Sequence, residues 1–99
     1  IAGIYGVTPN RLENYRLTYG RYPQKPYEVI LGENIDLMLD SPKEVTLMGK
    51  KFRVVGAFKS DIGFENGGVV IDIADAEKIF HKNASFLLVS LGSIEQGTQ

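Results

Sequence analysis

The sequence predicts an α+β domain: a mixed β-sheet with short flanking helices, built as one small domain. Three observations predict it. Short β-rich runs recur at 1–7, 27–32, 44–58, 69–73 and 85–91, most of them bounded by Gly, Pro or Asn. Two amphipathic segments, 33–40 and 75–81, have helical period but are too short for the crossover helices of a doubly wound fold. The 99 residues suffice for one hydrophobic core and not for two.

In chain order, "IAGIYGV" is an apolar run with Gly3 and Gly6 inside it and reads as a strand. Thr8-Pro9 is a helix-start pair, a hydroxyl cap followed by proline at the first position. "PNRLENYR" then predicts one or two helical turns with Leu12 and Tyr15 on one face. The segment 17–26 reads as loop, because Pro23 and Pro26 each lack an N–H donor. "YEVILG" alternates, with Val29 and Leu31 facing one way and Glu28 and Ile30 the other.

After Gly32, "ENIDLMLD" is expected to present Ile35, Met38 and Leu39 to the core and to leave Asp36 and Asp40 exposed, with Ser41-Pro42 as the stop. "EVTLMGKKFRVVGAF" is the clearest hairpin. Gly49-Lys50 is the expected turn, with Leu47 and Val54 placed in the core on facing strands. "KSDIGFENGG" is a polar, Gly-rich loop. "VVIDI" predicts a strand, "DAEKIFH" a helix with Ala76, Ile79 and Phe80 on one face, and "SFLLVSL" a closing strand. The domain is expected over 1–91, with 92–99 as a polar tail that frays. The chain starts at Ile1 inside a strand-like run and reads as a piece of something longer.

Composition narrows the function classes. Eleven basic against twelve acidic residues give a formal net charge of −1, so no nucleic-acid surface is indicated. The absence of cysteine excludes disulfides, thiolate catalysis and cysteine-based zinc sites; it fits an extracytoplasmic domain, and many cytosolic domains of this size lack cysteine as well.

The chemical motifs are weak. "GR" and "LGENI" contain neither phosphate-loop pattern, and Glu33 and Asp36 would repel phosphate at the start of that helix. In "DIGFENGG", Asp61, Glu65 and Asn66 offer oxygens, but Gly63 occupies a ligand position of the calcium-loop pattern. Phe64 in that loop either tucks under it or contacts a partner. The one histidine, His81, follows Glu77 by four residues, too few groups for a metal centre. No G-x-S-x-G frames a serine, so a hydrolase would lack an acid–base pair. Asn83-Ala84-Ser85 fits the glycosylation acceptor pattern. No catalytic residue, metal or cofactor is expected; Phe64, Asp61 and Glu65 are the candidate partner contacts.

The ordered succession of the pieces carries more than any one of them. "GVTPNRLENYRLTYGRYPQKPYEVILGENIDLML", then "KEVTLMGKKFRVVGAF", then "GGVVIDIADAEKIF" resembles the MacB-like periplasmic core domain of ABC transporter permeases, a group that includes FtsX-like and LolC/LolE-like permeases. The family's "G-v-x-P" turn falls on Gly6 to Pro9 and its "G-R" on Gly20-Arg21. Its "V-v-l-G" strand falls on Val29 to Gly32, its hairpin on Val45 to Gly56, and its last strand and helix on Val69 to Phe80. The resemblance spans about nine-tenths of the chain. Asp72 stands where the family often has proline, and the insert between Arg21 and Glu28 is short.

The resemblance implies a non-catalytic domain on the extracytoplasmic side of a cell membrane, with permease helices flanking it. It implies a cytoplasmic ATPase, a permease dimer and an extracytoplasmic client protein as partners. Gly20 and Arg21 then read as a structural corner, glycine supplying positive φ and arginine clamping carbonyls or a carboxylate. The alternative is a free-standing extracytoplasmic binding module for peptide or carbohydrate.

Overall fold

A computed structural model describes residues 2–80, 86–89 and 94–96. Its described strands are β1 (Ala2–Val7), β2 (Arg16–Gly20), β3 (Glu28–Gly32), β4 (Glu44–Leu47), β5 (Lys50–Lys59), β6 (Val69–Asp72), β7 (Phe86–Val89) and β8 (Ile94–Gln96). Two helices, α1 (Glu33–Met38) and α2 (Ile73–Phe80), and two 3-10 turns, Pro9–Asn14 and Gly63–Gly67, complete it. The strands form one mixed sheet in the order β7-β1-β6-β3-β5-β4-β8. The fold is α+β, as the sequence predicts.

β3 is the centre. It runs antiparallel to β6 and parallel to β5, and Val29, Ile30 and Leu31 have no exposed surface. The period of two sends Val29 and Leu31 to one face, where they meet Ile4, Val69, Ile71, Leu47 and Phe52 beneath Ile35 of α1 and Ala76 and Ile79 of α2. Ile30 points to the opposite face and packs with Tyr5, Val7, Val70 and Phe58. Leu12 and Tyr15, from the first 3-10 turn and its cap, cover that side. A strand covered on both faces must be apolar at successive positions, and "VIL" is.

Several expectations are corrected. Arg16–Gly20 is a strand, not loop. β4 pairs with the first part of β5, up to Arg53, and leaves the edge from Gly56 to Lys59 open; β2 fills it. The prolines lie beyond β2, in the irregular stretch 21–27. Thr8 does not cap the first turn: its hydroxyl donates to Asn10 Oδ1 at 2.7 Å, and the turn is 3-10 rather than α.

α1 buries Asp36 and exposes Met38, the reverse of the expectation. A helix of six residues is governed by its ends rather than by its period. Asp40 has φ 59°, and the Ser41 N–H reaches back to the Asp36 carbonyl at 2.8 Å. This is a left-handed stop in which the chain reverses around Asp36. α2 begins at Ile73, two residues earlier than expected, because Asp72 Oδ1 accepts the Ala74 N–H at 2.8 Å and caps it.

The hairpin turn is Met48-Gly49, not Gly49-Lys50: Leu47 pairs with Lys50, and φ is 52° at Met48 and 80° at Gly49. Leu47 is in the core, whereas Val54 is half-buried at its margin. Residues 63–67 form a 3-10 turn instead of open loop. Ile94–Gln96, read as fraying tail, is strand β8 beside β4. His81 and Asn83-Ala84-Ser85 lie outside the described residues, as do the side chains of Phe64 and Phe80.

Two successive positive φ values suit Asn-Gly better than Met-Gly. Met48 is exposed, so Met48→Asn should stabilise the domain by about 0.5–1 kcal/mol. Urea unfolding of the two proteins checks this; an unchanged or lower midpoint would contradict the turn geometry.

Candidate functional site

Two regions gather polar chemistry. The first is the corner at Gly20-Arg21. β5 carries a bulge at Val55: Val29 pairs with Val54, and Ile30 with Gly56. The Val55 carbonyl accepts the Arg21 N–H at 2.9 Å. Gly20 sits over it at φ 79°, and a Cβ there would lie 2.1 Å from the Val55 oxygen. Only glycine meets both conditions.

The Arg21 guanidinium then forks onto Glu28. Nη1 donates to Oε1 at 2.8 Å and Nη2 to Oε2 at 2.6 Å. Oε1 also takes the backbone N–H groups of Gln24 and Lys25 at 2.8 and 2.9 Å. Glu28 is buried, and this donor set, the Arg21 hydrogen bonds first, holds its carboxyl down at about 2. Each Glu28 oxygen already has its donors and the guanidinium is committed. The corner therefore closes the loop 21–27 and offers no free fork to phosphate.

The second region is the segment 60–68. Ser60 Oγ donates to Glu65 Oε1 at 2.5 Å and accepts the Ile62 N–H at 3.1 Å. Asn66 brackets the Ser60 backbone, accepting its N–H and donating to its carbonyl. Tyr15 OH donates to Glu65 Oε2 at 3.3 Å. Burial, and then Glu65, push the Tyr15 phenol up to about 12. The buried Ser60 hydroxyl is engaged as donor and as acceptor, so the Ser60–Glu65 pair knots the loop and is not an exposed nucleophile beside a base.

Among the candidate contacts, Asp61 is exposed and Glu65 is half-buried in this knot. The Phe64 side chain lies outside the description. Among the described residues, no hydrogen bond or ion pair joins these residues to Gly20 and Arg21. Helix α1 lies between the two regions. Asp36 accepts from Tyr19 OH at 2.5 Å, beside the corner, and from Ser41 Oγ at 3.1 Å. On its other side α1 packs against the 3-10 turn 63–67. Leu37, Met38 and, at the start of that turn, Ile62 are each more than half exposed.

Sequence reasoning missed Glu28, Tyr15, Ser60, Asp36 and the buried Asp75, whose Oδ2 accepts the Tyr27 N–H at 2.9 Å. One signal was present for Glu28: an acid inside an apolar strand, seven residues after an arginine. No comparable signal marks the others, whose partners are 5 to 50 residues away. Among the described residues no group of three or more acids or histidines is placed to hold a metal, and no helix is long and apolar enough to cross a membrane.

No family model matches the chain, and neither a curated protein nor a solved structure is detectably similar to it.

The Glu28 carboxyl is depressed in the folded state from an ordinary 4.5 to about 2. Its stabilisation is thus complete above about 4.5 and is lost as pH falls toward about 2. Glu28→Gln should lower the thermal midpoint at pH 7 and flatten its acid dependence across that window. Parallel melting curves of the two proteins from neutral to low pH would show this. Identical acid slopes would mean that Arg21 does not hold Glu28.

Proposed function

We propose that this chain is a non-catalytic extracytoplasmic domain of an ABC transporter permease. In this role it couples movement of membrane helices to the handling of a substrate or partner outside the membrane. The observation that carries the reading is the ordered run of motif blocks, which fall in order on elements of one sheet and the turns between them. Gly6 to Pro9 close β1 and open the first 3-10 turn; Gly20-Arg21 end β2; Gly32 ends β3 and precedes α1. The Val45 to Gly56 block is the β4–β5 hairpin, and Val69 to Phe80 is β6 and α2.

A coupling domain needs a rigid body and a face that grips. The two-sided burial of β3 and the Arg21–Glu28 and Ser60–Glu65 ties supply rigidity. The exposed Leu37, Met38 and Ile62 on adjoining elements supply apolar grip, since a few buried apolar side chains dominate small interfaces.

Two measurements test the reading. The domain has no native cysteine, so Asp61→Cys in the full-length parent introduces one exposed thiol into it. A membrane-impermeant maleimide should label it in intact cells; labelling only after lysis would place the domain on the wrong side. Second, the double variant Leu37→Ser, Met38→Ser should stay within about 0.5 kcal/mol of the parent domain in stability, while transport-coupled activity of the full-length protein falls. Unchanged activity would remove this face from the coupling path.

A further inference from the structure

We propose that the groove between the first 3-10 turn and the carboxyl end of β1 is a binding site for a small organic carboxylate with an apolar body. The groove encloses about 540 Å³, within the ~300–1,000 Å³ usual for small-molecule sites. Tyr5, Tyr15 and Ile73 make its inner surface, and Asn10, Arg11 and Asn14 its exposed rim. Nothing in this inference depends on the transport reading.

The chemistry of the lining selects the ligand class. Among the described residues, Arg11 is the one charged side chain that lines the groove, and no described carboxylate lines it. Among the described residues, no ion pair or hydrogen bond engages the Arg11 guanidinium. One positive charge with five donors matches one carboxylate, which it can take through two parallel hydrogen bonds. The amides of Asn10 and Asn14 add neutral donors. Thr8 occupies Asn10 Oδ1 at 2.7 Å and so leaves the Asn10 Nδ2 as the group available to a ligand.

The inner surface suits an apolar or planar body, because tyrosine rings and an isoleucine offer area at little entropic cost. Tyr15 is also held in place before any ligand arrives. Its ring stacks edge-on against the buried Phe58 with centroids 5.2 Å apart. Its carbonyl accepts Tyr22 OH at 2.9 Å, and its own hydroxyl is engaged by Glu65. A wall fixed at three points loses little freedom on binding, which is what preorganised sites require. The Tyr15–Glu65–Ser60 chain also joins this wall to the segment 60–68.

A free acid and the chain end of a peptide share this chemistry. N-acetylphenylalanine probes the first source and the peptide Ala-Ala-Ala-Phe the second, each beside its C-terminal amide. The probes are titrated to millimolar concentration into the labelled 99-residue chain, and the side-chain amide signals of Asn10 and Asn14 and the ring signals of Tyr15 are followed. At least one acid should shift these signals, with its amide weaker by ~10-fold or more. Arg11→Gln should reduce the acid to the affinity of its amide without moving the unfolding midpoint, because Arg11 is exposed. Binding of the peptide alone assigns the site to chain ends, and binding of both acids to small acids in general. Silence of the groove signals toward both acids, shifts that map elsewhere, or equal binding of acid and amide would each overturn the proposal.

Discussion

The structure depends on the burial of β3 from both sides. Three consecutive residues with no exposed surface need two covering layers, and a chain of this length has little to spare for them. Helices α1 and α2 supply one layer. The other comes from Leu12 and Tyr15 of the first 3-10 turn and its cap, with the partly buried Leu17 and Tyr22 beside them. That thin second layer explains why β2 forms although nothing marks it as a strand. Pairing with the free edge of β5 places Leu17 over Phe58 and completes the cover.

Irregular segments are then tied to this core by acids. Glu28, Asp36 and Asp75 are buried, and Glu65 half-buried, on or beside regular elements. Each accepts hydrogen bonds from a loop or a neighbouring strand: Glu28 from Arg21, Gln24 and Lys25; Asp36 from Tyr19 and Ser41; Asp75 from Tyr27; Glu65 from Ser60 and Tyr15. A buried carboxylate is unfavourable unless its oxygens are satisfied, so each tie is close to all-or-none. No described buried side-chain nitrogen or oxygen is left without a partner. The result is short loops tied to the strands they join, with positive φ at Tyr27, Asp40 and Ser41.

The same ties position the exposed apolar residues of α1 and the wall of the groove. Asp36 anchors α1 with its apolar residues Leu37 and Met38 outward, beside the turn that carries Ile62 and Glu65. Glu65 reaches back to Tyr15, which walls the groove under Arg11. A face fit for a partner and a cavity fit for a small anion thus share one hydrogen-bonded link. If the domain has the coupling role we propose, such a link would join the groove to the contact face through bonded groups.

The sequence by itself determined the elements whose signal is local. Alternation in "YEVIL" set the two faces of β3, and the apolar spacing of Ala76 and Ile79 oriented α2. For Gly20-Arg21 the residues alone left a phosphate loop and a structural corner open; the corner was what the family resemblance implied, and the fold places Gly20 at φ 79° with Arg21 on Glu28. Tertiary structure alone decided β2, β8, the burial of Asp36 and the knot at Glu65. An edge strand exists only if a neighbour leaves an edge open, and Arg16–Gly20 has that edge from a strand some forty residues later. Likewise an acid enters the interior only where donors converge on it, and those of Asp36 and Glu65 include Tyr19 and Tyr15, 17 and 50 residues away along the chain. Periodicity and propensity report what a residue prefers with its neighbours in sequence; partner geometry across the fold is set by which surfaces remain to be covered once the core strand is in place.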